Sequence, residues 1–329
     1  MAASPQSDDR IARRGSLRPA TATHAAREHA IAAHPYVAHA HPSRATLVLA
    51  LLAVWIVWGS TYLAIKLAIV SIPPFLMGGA RSMIAGTLLF AGLRLRGVPS
   101  PPRVQWRNAA LIGLLMVTLA NGAVVWAQGT IPSSLAALGV ATTPLWVALA
   151  TGFLEGWPRP LEWLGLAIGF AGVVLLNGDG ALRATPLAAL LLLVAQLSWG
   201  AGTILNRRVA LPPGAMASAT QMLTGGTMLF VVGLLSGERL TVLPTATSLA
   251  ALAYLVVFGS IIAFSAFNFL IRNVSPALAT SNAYVNPLVA VLLGVGLGGE
   301  RLGHATLVAM LVILAGVALV LLAHDRTRR

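Results

Sequence analysis

The chain has 329 residues, of which 57% are hydrophobic and only 9% charged, and its mean hydropathy is +0.82. Soluble domains carry about a quarter of their residues as charges, so these proportions exclude a soluble domain and call for a bilayer. The formal charge of +13 would suit nucleic acid, but six arginines (Arg10, Arg13, Arg14, Arg18, Arg27 and Arg44) lie in the first 44 residues and most others in short gaps between apolar runs. That placement is a topology signal, and no nucleic-acid partner is expected. There is no cysteine, which removes disulfides, thiol nucleophiles and thiolate metal sites.

Residues 1–44 read as a disordered, basic and His-rich cytoplasmic tail with little that could form a core. His24, His29, His34 and His39 recur every five residues, a step of about 140° on a helix, so they would not share a metal-binding face. No cleavable leader is expected, because the first apolar run begins near Thr46 and is long enough to span.

A spanning helix needs about 20 mainly apolar residues, and ten such runs follow in order. The first, 46–67, carries Trp58, Tyr62 and Lys66; the second, 74–93, carries Arg81. The third, 108–128, holds Asn121, Trp126 and Gln128, and the fourth, 133–153, holds Pro144 and Trp146. The fifth, 161–177, has a stripe of Gly165, Gly169 and Gly172 that permits close helix contact, either within the chain or in a homodimer. The sixth to eighth, 185–206, 214–235 and 247–271, carry Trp199, Gln221 and Ser265 in turn. The ninth, 276–298, holds Tyr284, Asn286 and Pro287, and the tenth covers 304–323. Residues 324–329 form a short cytoplasmic tail.

The second five runs repeat the first. Trp58-Gly59 recurs as Trp199-Gly200 with Lys66 falling on Arg207, and Gly86-Thr87-Leu88-Leu89-Phe90 recurs as Gly226-Thr227-Met228-Leu229-Phe230. Leu135-Ala136 with Pro144-Leu145 recurs as Leu278-Ala279 with Pro287-Leu288. An odd number of spans per copy makes the copies antiparallel across the membrane, the plan of an alternating-access carrier. The expected fold is therefore an all-α polytopic membrane protein of ten transmembrane helices, with repeats over 45–180 and 181–323. With the N-terminus inside, 17 basic residues fall on the cytoplasmic side: the six above, Arg94, Arg96, Arg103, Arg107, Arg159, Arg207, Arg208, Arg272, Arg326, Arg328 and Arg329. Only Arg183, Arg239 and Arg301 fall outside, so both termini are expected to be cytoplasmic.

The blocks Trp58-Gly59-Ser60-Thr61-Tyr62, Pro73-Pro74 with Arg81, Asn121-Gly122 and Pro132-Ser133-Ser134-Leu135-Ala136-Ala137 resemble the EamA-type members of the drug/metabolite transporter superfamily. Ser275-Pro276-Ala277-Leu278-Ala279-Thr280-Ser281, Ala283-Tyr284-Val285-Asn286-Pro287 and Gly298-Gly299-Glu300 look especially like its YedA-like branch of bacterial inner-membrane exporters. The resemblance implies a ten-helix bundle of inverted repeats with a central cavity, exporting metabolites or drugs. The chain departs from it at Gln128 and Gln221, where it implies glutamate, and neither amide can carry a proton.

Polar groups at bilayer depth are functional candidates by default. All nine carboxylates (Asp8, Asp9, Glu28, Glu155, Glu162, Asp179, Glu238, Glu300 and Asp325) lie in the tail, in loops or at span ends, so no mid-span acid is available to exchange a cation for a proton. Arg81 lies about 10 Å into its span at 1.5 Å per residue; it either bonds helix-end carbonyls or meets a substrate carboxylate. Lys66, the single lysine, is either an interface residue or a gate. Asn121, Gln128, Gln221, Ser265 and Asn286 offer uncharged hydrogen bonds, and Pro144 and Pro287 free carbonyls where spans four and nine would border a cavity. Trp58, Tyr62, Trp126, Trp146, Trp199 and Tyr284 could stack on an amphipathic substrate. No nucleophile–base pair, zinc spacing or phosphate loop points to an enzyme or a cofactor. The leading expectation is an exporter of small metabolites, amino acids or related carboxylates; the alternatives are a proton-coupled multidrug exporter and a membrane enzyme or assembly factor.

Overall fold

A computed structural model describes residues 42–130, 140–154, 156–176, 186–298 and 304–325. The histidine-bearing tail, the Pro132–Ala137 block, Glu155, Asp179, Arg183, Gly299, Glu300, Arg301 and residues 326–329 lie outside them. Among the described residues every element is helical, as a chain this apolar requires when no water is at hand to satisfy backbone groups. The helices are α1 (Arg44–Ala68), α2 (Pro74–Leu95) and α3 (Arg103–Gln128). Then come α4 (Thr143–Leu154), α5 (Pro160–Leu176), α6 (Pro186–Arg208) and α7 (Ala215–Leu235). The last are α8 (Ala246–Asn273), the short α9 (Pro276–Ala279), α10 (Asn282–Gly298) and α11 (His304–Asp325). Five of them, α1, α2, α3, α7 and α8, are long and apolar enough to cross a membrane.

The two repeats meet through helices that correspond to one another. α2 packs on its counterpart α7 so closely that a Cβ on Gly79 would sit 2.6 Å from the Phe230 nitrogen, and one on Gly86 2.7 Å from that of Leu223. From the other side, a Cβ on Gly226 would sit 2.8 Å from the Met83 nitrogen. α5 and α11 form the second such pair: a Cβ on Gly165 would lie 2.8 Å from the Gly316 oxygen, and one on Gly172 2.7 Å from Ile313 Cγ1. The glycine stripe of the fifth run is thus filled inside the chain, with Gly169 against the Tyr284 ring. Without a hydrophobic effect between helices in lipid, backbone approach of this kind supplies the dispersion contact that holds a bundle together.

Three helices widen locally. α1 is π-helical over Ala53–Val57, α3 over Leu114–Asn121 and α8 over Leu255–Ile262, and the last two are counterparts in the repeat. Such segments loosen the hydrogen-bond ladder and re-aim side chains. The ninth span is broken, but not at its proline: Pro287 sits inside α10, and the helix is interrupted earlier, at Thr280 and Ser281. Ser281 accepts the Trp55 indole N–H at 3.1 Å, which fixes the break against α1. Pro144 stands in the first turn of α4, where a missing N–H leaves no bond unmade.

The start of α2 is clamped from the other repeat. Glu238 Oε1 and Oε2 accept the backbone N–H groups of Phe75 and Leu76 at 3.1 and 2.8 Å, a charged cap at the positive end of the helix.

Gly79→Val should lower the thermal midpoint of the purified protein through overpacking of about 1–3 kcal/mol. Gly92→Ala, where nothing lies within 4 Å of the added carbon, should leave it unchanged or raise it. Equal effects would contradict the packing described.

Candidate functional site

A cavity of about 110 Å³ lies between the repeats, well above the ~10–15 Å³ that holds one water. Its wall draws on α1 through Trp58 and Tyr62, on α2 through Arg81, on α3 through Asn121 and Gln128, on α6 through Trp199 and on α10 through Asn286. These seven sequence candidates therefore meet at one place. Asn121 and Ser260 reach it from the two π-helical segments, and Thr280 from the break before α10.

One side is aromatic. The Trp58 and Trp199 rings meet edge to face at 5.5 Å, and each lies 5.1 Å from Phe267. The Trp58 indole N–H donates to the Gly259 carbonyl at 3.0 Å, so its ring is held in place and offers only its apolar face. The two tryptophans are repeat counterparts, and their contact is what an axis between the repeats requires.

The rest of the wall is polar, and several of its groups have no protein partner. Arg81 is 8% exposed, and its Nε finds no hydrogen-bond acceptor. Gln128 Nε2, Ser260 Oγ and Asn286 Oδ1 are likewise buried and unpaired, while the Asn286 amide also meets the Tyr62 hydroxyl. A buried polar atom left unpaired costs about 1–3 kcal/mol, and four of them around one cavity mark a place built for a polar guest. Among the described residues no aspartate or glutamate lines it, so the guanidinium is its single charge.

The remaining candidates lie elsewhere. Lys66 is exposed on α1, Trp146 is 36% exposed and donates to Thr142 Oγ1 at 3.2 Å, and Trp126 is half-buried away from the cavity. Tyr284 is fully buried, its hydroxyl donating to the Leu166 carbonyl at 3.0 Å, and it packs helices together instead of facing the cavity. Ser265 and Gln221 are off the wall, Gln221 being fully buried with both amide atoms unpaired. Pro144 and Pro287 are also off it, although Thr143 and Asn286, their neighbours in sequence, are on it.

Sequence reading missed Thr61, Ser82, Thr143, Gln196, Ser260, Thr280 and Asn282 on the wall. Gln196 was legible as a lone amide in an apolar span; it accepts a hydrogen bond from the Thr143 hydroxyl, joining α6 to α4. The hydroxyls gave no signal, because serine and threonine in a helix readily bond the carbonyl a turn back, as Ser82 does with Gly78 at 3.0 Å.

A helical membrane bundle in which two copies of one sequence enclose a single-charge cavity is the architecture of a solute carrier. The chain belongs to the EamA-like transporter family, whose pattern matches residues 45–178 and again residues 186–322. It is 48% identical over 274 residues to YedA of Escherichia coli (strain K12), an uncharacterized inner membrane transporter, covering 83% of this chain and 90% of that one. It is 30% identical over 269 residues to the protein PecM of Dickeya dadantii, covering 80% and 88%. A solved crystal structure shares the fold, with a TM-score of 0.72 at 23% identity over 87% of this chain and 100% of the other. The chain is thus a membrane transporter and not an enzyme.

Gln221→Leu removes two unpaired buried atoms at nearly constant volume. It should leave the thermal midpoint unchanged or raise it, by up to about 1–3 kcal/mol. A loss of stability would show that the amide has a partner.

Proposed function

We propose that this transporter exports small metabolites bearing a carboxylate, amino acids and related amphipathic acids among them, by alternating access of its two repeats. On this reading ten helices cross a bacterial inner membrane as two inverted sets of five, with both termini in the cytoplasm. The 17 to 3 division of basic residues supports that orientation. The guanidinium of Arg81 meets the carboxylate, the amides of Asn121, Gln128 and Asn286 meet its polar groups, and Trp58 and Trp199 face its apolar part.

One observation carries the substrate class: Arg81 is buried, its Nε is unpaired, and no acid shares its cavity among the described residues. A buried cation without a counter-ion is costly in a bilayer, and an anionic guest offsets that cost each time it binds. A proton-coupled exporter of cationic drugs would need an acid in the cavity to hold cation and proton by turns. Of the two acids near span ends that could have come inward, Glu162 lines a separate cavity and Glu300 lies outside the described residues.

In inverted vesicles, uptake of a labelled carboxylate panel should exceed uptake of size-matched amines. Arg81→Gln should lower it at least tenfold, as expected for losing a charge-assisted bond of about 1.5–3 kcal/mol. Uptake untouched by Arg81→Gln, or uptake of amines that collapses with the proton gradient, would overturn the reading.

A further inference from the structure

A second cavity, about 550 Å³, opens at the end of the bundle that the proposed orientation assigns to the cytoplasm. The turn between α4 and α5 supplies Trp157, Pro158 and Arg159, the end of α6 supplies Arg207, and the end of α8 supplies Arg272. Among the described residues, three guanidinium groups thus share one wall with a single carboxylate, that of Glu162. That carboxylate is turned to the backbone, its Oε2 accepting the Arg159 N–H at 3.2 Å at the start of α5. Like charges gathered this way repel one another, and an anion among them relieves the repulsion.

Arg272 connects this cavity to the interior. Its Nε donates to Asn206 Oδ1 at 3.2 Å, Asn206 Nδ2 donates to Asn268 Oδ1 at 2.7 Å, and Asn268 Nδ2 donates to Ser218 Oγ at 3.0 Å. Asn206, Asn268 and Ser218 are all buried, and Asn268 follows Phe267, which packs against the rings of Trp58 and Trp199. A line of hydrogen bonds therefore runs from the arginine wall into the buried interior and ends at Ser218 on α7.

We infer that the second cavity is an oxyanion site at the cytoplasmic mouth, taking the phosphate or carboxylate group of a solute or of a phospholipid headgroup. Guanidinium forks match such groups in shape as well as charge. A concave basic wall raises the local concentration of anions by 10-fold to 1,000-fold, an effect that salt screens. The site shares no residue with the central cavity, so it stands or falls separately from the role proposed for Arg81.

The chain has no cysteine, so a single thiol placed at Pro158 reads the potential of this cavity directly. The full-length Pro158→Cys protein is reacted, in phosphatidylcholine nanodiscs, with a negatively charged sulfonatoethyl and a positively charged trimethylammonioethyl thiosulfonate. Thr241→Cys, exposed at the other end of the bundle, is the reference. The anionic-to-cationic rate ratio at position 158 should exceed the reference about tenfold, and inorganic phosphate should slow the anionic reagent. Arg159→Gln with Arg207→Gln should bring the ratio to the reference value, Arg159→Lys with Arg207→Lys should keep most of it, and Arg81→Gln should leave it intact. Protection that appears in phosphatidylglycerol nanodiscs without phosphate would identify a headgroup as the occupant, and protection by phosphate alone would identify a solute. A ratio equal to the reference, one that survives loss of both arginines, or one lost with Arg81 would overturn the inference.

Discussion

A guanidinium held inside a bilayer with no counter-ion among the described residues is the constraint around which this bundle is arranged. Arg81 can stay in place only if its helix cannot turn the charge toward lipid headgroups or carry it to the end of the span. α2 is fixed accordingly. Gly79 and Gly86, on either side of Arg81 in sequence, bring its backbone against that of α7, and Glu238 clamps its first turn from the opposite repeat. Preorganisation of this kind lets a single charge act strongly, because little ordering remains to be done when a guest arrives.

The two repeats supply the frame, and their departures from symmetry supply the chemistry. Arg81 corresponds to Gln221, so only one of two equivalent positions is charged. At the offset that pairs Trp58 with Trp199, Asn206 corresponds to Ile65; at the offset that pairs Gly86 with Gly226, Ser218 corresponds to Gly78. One end of the bundle accordingly holds an apolar cluster that includes Ala64, Ile65, Met77 and Val125, whereas the other holds the hydrogen bonds among Asn206, Asn268 and Ser218. An apolar seal opens by wetting its side chains, while a polar one can exchange its bonds for water at little net cost. Under the alternating access proposed above, the two ends are expected to open by different routes, although the helices that form them are related by the repeat.

Much of the helical layout was legible in the sequence, because twenty-residue apolar runs leave the chain few alternatives in lipid. Polar residues in mid-span were also telling, and Arg81, Asn121, Gln128 and Asn286 do meet at the cavity. The facing of aromatic residues was not legible. A span that is apolar all round gives no periodicity from which to infer a face, so Trp58 and Trp146 looked alike although one lines the cavity and the other is 36% exposed. Tyr284 is turned away by Gly169, a partner more than a hundred residues distant that only tertiary packing reveals. The break in the ninth span falls at Thr280 and Ser281 and not at Pro287, since a helix in a protein can keep its proline when neighbours take up the freed carbonyl.

The most direct test of the central claim is the thermal stabilisation of the detergent-purified protein by small carboxylates and by amines of matched size. A ligand at one hundred times its Kd stabilises the folded state by about 2.7 kcal/mol. The account predicts that carboxylates raise the midpoint of the natural sequence, that amines do not, and that Arg81→Gln abolishes the difference. Equal stabilisation by amines, or carboxylate stabilisation that persists without the guanidinium, would contradict it.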